Sequence, residues 1–185
     1  MPPSDVLDAA YSQFTTDVLA RVRRETFGED LGQYSWTVKA ELDGFLQALR
    51  LSAGTRLLDV ACGAGGPALY AAKTTGCSVV GVDVNEHAIE TASRLARERG
   101  LTALGTFQVA DASRALPFPD GSFEAVLCLD AVVLFPDRLT AIREWARLLK
   151  PGGRLVFTNP AVVSGLLTFD ELATRSSGAN FVFSP

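Results

Sequence analysis

The chain is poor in the residues that most often do chemistry. Among 185 residues there is one histidine, His87, and one methionine. A lone histidine cannot build a clustered imidazole metal site, and His87 falls in the first turn of a helical pattern, where it reads as a rim surface residue. Cysteines number three, Cys62, Cys77 and Cys128, an odd count with no Cys-x-x-Cys spacing. A disulfide scaffold is thereby excluded, and no His/Cys/carboxylate cluster suggests a bound metal. Each cysteine lies in an apolar or small-residue stretch, where a free thiol behaves as a small hydrophobe. A reducing, cytoplasmic setting is expected. No run of 18 or more apolar residues occurs, so no membrane span is expected, and MPPSDVLDAAYSQF lacks the basic start and long apolar core of a secretory signal. A basic excess is missing too: 17 Lys and Arg stand against 21 Asp and Glu, a net charge of -4. The groups Arg21, Arg23, Arg24 and Arg94, Arg97, Arg99 sit in helical patterns beside acids and read as solvated faces. Nucleic acid is therefore not an expected partner.

What is present is a core and a rhythm. Hydrophobic residues make up 48% of the chain, enough for one globular domain, and the charged share of 21% is ordinary. Helical spacing predicts a helix over 5–27 with Ser4 as its cap and Gly28 at its end, and a second over 38–50. From Arg56 the pattern alternates. Short apolar runs at 56–61, 78–82, 106–110, 123–129 and 154–158 read as strands. Helical stretches at 67–75, 86–99 and 137–149 separate them, the second capped by Asn85 and closed by Gly100, the third stopping at Pro151-Gly152-Gly153. Such alternation predicts an α/β fold: a doubly wound, mostly parallel sheet with helices on both faces, preceded by N-terminal helices. We expect residues 1–50 to form a helical lid or extension, and 51–185 a Rossmann-like domain. Ligands of such sheets lie beyond the carboxyl ends of the strands, at the switch point.

The most informative stretch is LLDVACGAGGPALYAA, residues 57–72, a strand entering a glycine-rich turn and then a helix. Glycine permits the tight backbone and close ligand approach, and the following helix start offers free N–H groups to an anion. Dinucleotide sites share these features. Here the turn is GAGGPA rather than G-x-G-x-x-G, and Asp59 lies inside the strand. A carboxylate there is costly to bury, repels a pyrophosphate and suits a cationic ligand. Asp83, ending the second strand, can accept from a ribose diol. Asp111 follows the third strand, where a carboxylate can accept from an adenine amino group while the Ala112 N–H reaches a ring nitrogen; the alternative for Asp111 is a loop aspartate making an Asx turn. Asp130 ends the fourth strand and faces the cleft.

Taken together, with LPFPDGSFEAVLCLDAV and LLKPGGRLVFTNP in order downstream, these residues resemble the class I, Rossmann-like S-adenosylmethionine (SAM)-dependent methyltransferases, over about residues 30–160. The likeness is greatest to the bacterial branch that methylates small metabolites and natural products. It implies SAM as cofactor, a small-molecule acceptor, and cofactor contacts by Asp59, Ala61, Gly63, Gly65, Asp83, Val84, Asp111, Ala112 and Asp130. No catalytic base is named. Relatives often carry a histidine shortly after the strand-four acid, whereas Ala131–Phe135 is wholly apolar here. Tyr34, Trp36 and Asp130 are the remaining polar candidates near the cleft, the two aromatics reading equally as core or lid.

The family sheet ends in an antiparallel strand pair. Beyond strand five this sequence offers a short helix, FDELATRSS, and one short strand at 180–183. The expectation is a core lacking that pair. Either the chain is a truncated form of a longer protein, or a partner such as a second copy covers the exposed sheet edge. Two other readings stand beside methyl transfer. One is a SAM-binding fold without it, a cyclase-like enzyme or catalytically incomplete module. The other is an NAD-dependent oxidoreductase, against which Asp59, GAGGPA and the absence of a suitably placed Tyr-Lys pair count.

Overall fold

The computed structural model describes residues 11, 14 and 16–159. The predicted helix over 5–27 is not continuous. Thr16 is extended (φ -66°, ψ 147°), and its hydroxyl accepts from the Leu19 N–H to start α1, Asp17–Phe27. Threonine is worth more as a cap than in a helix interior, and the break lets Phe14 turn inward until it is 1% exposed. Residues 5–10 of that prediction lie outside the described residues. Helix α2, Lys39–Leu49, buries Leu42, Leu46 and Leu49.

The alternation then proceeds as the pattern predicts. It runs β1 Arg56–Val60, α3 Gly66–Thr75, β2 Ser78–Asp83, α4 Glu86–Glu98, β3 Gly105–Val109, β4 Phe123–Cys128, a 3₁₀ turn Val132–Leu134, α5 Arg138–Leu148 and β5 Leu149–Phe157. Asn85 caps α4 by accepting from the Ala88 N–H, and Asp137 caps α5 by accepting from the Thr140 N–H. The strands form one sheet in the order β3-β2-β1-β4-β5, every pair parallel. Strand five begins earlier than the Pro151-Gly152-Gly153 sequence suggests: Leu149 pairs Phe123, then a register shift absorbs the proline and glycines before Arg154 pairs Ala125. Proline is tolerable there because β5 is an edge among the described strands. The predicted C-terminal helix and strand, and the question of the final strand pair, fall outside the described residues.

The period-two pattern sorts the strands onto two cores. Leu57, Val79, Ala125 and Leu127 pack with the α2 leucines and with Ala68, Ala71 and Ala72 of α3. Leu58, Val60, Val82, Val126 and Cys128 pack on the opposite face with Ala141, Trp145 and Leu148 of α5. On the first face Phe107 of β3 fills a space that two glycines leave. A Cβ on Gly81 would stand 2.5 Å from the Phe107 ring; one on Gly65 would stand 2.8 Å from that ring and 2.9 Å from the Ala92 Cβ of α4. On the second face Trp145 is fully buried, lies edge-on to Phe135 at 5.2 Å, and donates its indole N–H to the Ala112 carbonyl at 3.3 Å. It thus ties α5 to the loop after β3. Trp145→Ala is expected to destabilise the fold by about 3–5 kcal/mol, seen calorimetrically as a thermal midpoint lowered by roughly 6–20 °C.

Candidate functional site

The site is built where the sheet reverses its direction of growth, between the carboxyl ends of β1 and β4. Both strands finish with a non-glycine residue in the left-handed region: Ala61 (φ 54°) after β1 and Asp130 (φ 53°) after β4. Such conformations persist only where their surroundings hold them, and they gather at functional sites. After Ala61 the chain turns through Gly63 (φ 52°) and Gly65 (φ 74°). The Gly65 N–H donates to the Cys62 carbonyl at 2.9 Å and the Cys62 N–H to the Val82 carbonyl at 3.0 Å. Pro67 sits in the first turn of α3, where its missing N–H costs nothing. The backbone of Leu31 and Gly32 lies directly on Gly66; a Cβ there would be 2.2 Å from the Gly32 carbonyl oxygen.

Two carboxyl groups converge on this turn. Asp83 accepts from the Gly63 N–H and the Asn85 N–H, both at 2.9 Å. Burial raises its pKa above the ordinary carboxylate value despite those bonds. Asp59, 3% exposed, pairs across the sheet with Gly81 and Leu127, and its Oδ2 is buried without a partner. Burial first, and then the neighbouring Asp83, push its pKa up to about 8. The protein has buried a carboxyl it does not satisfy, which is costly in a folded chain.

Asp59 forms part of the lining of a small cavity of about 30 Å³, with Tyr11, Tyr34, Ser35, Gly63 and Leu129 among the other walls. That is room for a water or two. Tyr11 closes it: its hydroxyl would lie 2.6 Å from a Cβ on Gly63, and its ring rests 5.3 Å from Tyr34 and 6.0 Å from Phe14. Burial and the nearby Asp83 hold the Tyr11 phenol protonated by raising its pKa. A larger open depression of about 550 Å³ runs along α4 past Glu86, Glu90, Arg94 and Val109. None of the buried unpartnered polar side chains lines it.

Of the residues singled out from sequence, Asp59, Ala61, Gly63, Gly65 and Asp83 come together around the turn. Val84 follows immediately, 38% exposed. Asp111 and Ala112 lie beyond β3, whose end is joined to β2 by the Ala110 N–H donating to the Asp83 carbonyl at 2.9 Å. Asp111 makes the Asx turn that was its alternative reading: its Oδ1 accepts from the Ser113 N–H and hydroxyl, and its Oδ2 faces Arg114 at 3.2 Å. Asp130 accepts from Trp36, Thr37 and Thr158. His87 is exposed beside Glu90, as expected of a rim residue. Sequence reasoning missed Tyr11, Ser35 and Leu129 as walls, and Gln33, whose Nε2 is buried without a partner. The motif Gly-Gln-Tyr-Ser-Trp, polar and aromatic residues between two helices, was the available signal.

Comparison with known proteins places the chain in a family. The family model described as a methyltransferase domain matches residues 58–157. Methyltransferase GfsG of Streptomyces halstedii is 41% identical over 128 residues, 69% of this chain and 45% of that protein. The 27-O-demethylrifamycin SV methyltransferase of Amycolatopsis mediterranei is 35% identical over 148 residues, 75% of this chain and 54% of that protein. The chain thus spans about half the length of these curated relatives. Among solved structures, the [4+2]-cyclase SpnF superposes with a TM-score of 0.68 at 32% identity, covering 84% of this chain and 60% of that one.

The unsatisfied Asp59 carboxyl yields a stability prediction. Its folded pKa, about 8, lies above the roughly 3.9 of an unfolded aspartate. The unfolded chain therefore gives up its proton first as pH rises. The contribution to stability is full below about pH 4 and is lost progressively as pH climbs through about 8. Asp59→Asn, which cannot ionise, is expected to melt higher than the parent above pH 8, by more than about 4 °C, with the margin shrinking toward pH 5. Melting curves of both proteins from pH 5 to 9 test this; a margin independent of pH contradicts it.

Proposed function

This chain belongs to the methyltransferase-domain family, of the class I SAM-dependent type, and we propose that it transfers a methyl group from SAM to a small-molecule acceptor, a metabolite or natural product. The observation that carries this reading is the unpartnered Asp59 oxygen in the wall of the cavity beneath the Gly63–Gly65 turn. A cationic ligand beside this oxygen favours loss of its proton and pairs with the carboxylate that results, whereas a pyrophosphate in the same place would face a carboxyl it holds protonated and gain no opposite charge. SAM supplies a methyl group on a positively charged sulfur, an already activated donor.

The chain's own residues would hold that cofactor as follows. Gly63 and Gly65 keep the turn open to close approach, Ala61 shapes the strand end beside them, and the first turn of α3 offers N–H groups to a carboxylate. Asp59 favours positive charge nearby. Asp83 accepts from the Gly63 and Asn85 N–H groups and turns its remaining acceptor capacity to a ribose diol. Val84 gives an apolar flank, and Asp111 with Ala112 stands on the adenine side. Tyr11 and Tyr34 form the outer wall, with the Tyr11 hydroxyl resting on Gly63. Alignment of acceptor and donor, an effect worth up to about 7–11 kcal/mol, is then the main source of rate. No side chain is assigned as base. A cytoplasmic setting belongs to the same reading; among the described residues no helix is long and apolar enough to cross a membrane.

A second reading, a SAM-binding enzyme that rearranges its substrate without methyl transfer, is favoured by one observation, the likeness to SpnF. Methyl-labelled SAM and a broad acceptor panel separate the two. Label in any product supports the first, tight SAM binding without turnover supports the second, and NAD binding at micromolar concentration with none of SAM overturns both. Asp83→Ala is expected to weaken SAM binding by at least about 1 kcal/mol, through lost charge-assisted hydrogen bonds. Unchanged affinity by calorimetry would show that the ribose lies elsewhere.

A further inference from the structure

Asp130 is engaged on both carboxylate oxygens by donors from two distant segments. The Trp36 N–H donates to Oδ2 at 2.8 Å and the Thr37 hydroxyl donates to the same oxygen at 3.3 Å. The Thr158 hydroxyl, just past β5, donates to Oδ1 at 2.7 Å and accepts from the Asp130 N–H at 2.7 Å. The left-handed backbone at Asp130 (φ 53°) is one that aspartate tolerates better than most residues. One short side chain thus joins β4, β5 and the loop between α1 and α2.

The other end of that loop has its own anchor. Asp30 receives Arg23 on both oxygens, at 2.6 and 3.2 Å, and the Gly32 N–H at 2.9 Å. The Arg99 guanidinium donates to the Leu31 carbonyl at 3.2 Å. Between the two anchors stand Tyr34 and Ser35, both in the cavity wall, and the Ser35 hydroxyl is buried without a partner. The loop has no ladder of its own to fix it, so the anchors set where that wall stands.

We propose that Asp130 is a positioning residue that hangs the 31–38 loop across the ends of β1 and β4, and so sets Tyr34 and Ser35 as the outer wall of the cofactor cavity. The proposal rests on the SAM-binding reading above. It replaces the sequence-based expectation that Asp130 touches the cofactor itself.

Two tryptophans, Trp36 and Trp145, make the test direct, because one sits at the latch, 81% exposed, and the other is fully buried in the core. With 5-fluorotryptophan in the full chain, Asp130→Ala is expected to narrow the Trp36 ¹⁹F resonance and shift it toward the free amino acid, leaving Trp145 in place. Calorimetry should show SAM affinity falling about tenfold. Asp130→Asn can keep an oxygen toward Trp36 and donate to the Thr158 hydroxyl, so it should retain both the Trp36 signal and the affinity. An unmoved Trp36 resonance in Asp130→Ala overturns the proposal, as does a released Trp36 with unchanged SAM affinity. It also falls if Asp130→Asn loses affinity as fully as Asp130→Ala while Trp36 stays fixed, the signature of a direct ligand. Should Asp130→Ala displace Trp145 as well, Thr158→Val removes the Oδ1 donor and the acceptor of the Asp130 N–H while leaving the carboxylate, and must still narrow Trp36. If the parent protein binds no SAM, the functional reading fails, while the Trp36 resonance decides the latch independently.

Discussion

One hydrogen bond, from the Gly63 N–H to the Asp83 carboxylate, organises the rest of the site. It ties the turn after β1 to the end of β2, with the second Asp83 oxygen on Asn85, the cap of α4. Opening the turn would sever this link between the end of β1 and the start of α4. Because β1 is paired on both sides and buried on both faces, everything that leaves its carboxyl end is delivered into one crevice. The bond also brings Asp83 toward Asp59, and that proximity adds to burial in keeping the Asp59 carboxyl neutral over most of the ordinary pH range. Geometry and charge at the site are thereby coupled.

The scaffold was legible because its signals are local. Period-two apolar runs, caps such as Asn85, and glycines at forced left-handed positions depend on neighbours in the chain, and they located β1 to β4 to within a residue at each end, and the carboxyl end of β5. The disagreements are instructive. Thr16 breaks what periodicity reads as one helix, since a hydroxyl that can cap outcompetes a continuous apolar stripe. Strand β5 runs back through Pro151-Gly152-Gly153 because an edge position and a shifted register remove the usual objection to proline.

The walls of the site were much less legible. Tyr11, Ser35 and Leu129 come from segments whose positions are set by distant partners. Asp130 shows how much residue type leaves unsaid: an acid at a strand end facing the cleft reads as a ligand contact, and the structure adds that it accepts from Trp36, Thr37 and Thr158. Those donors lie far from it in sequence, and no spacing rule connects them. Asp111 likewise spends one oxygen on its own turn.

The way Phe107 fills the space beside Gly65 and Gly81 bears on how such a sequence can change over time. The ring is a keystone between the glycine turn and the middle of β2. Any side chain at either glycine must displace it, and a smaller residue at 107 would leave a hollow under the turn. The three positions are free to drift only together, so a lineage that enlarges one of them first passes through a less stable intermediate. Among descendants of a common ancestor, this trio should vary as a block or scarcely vary at all.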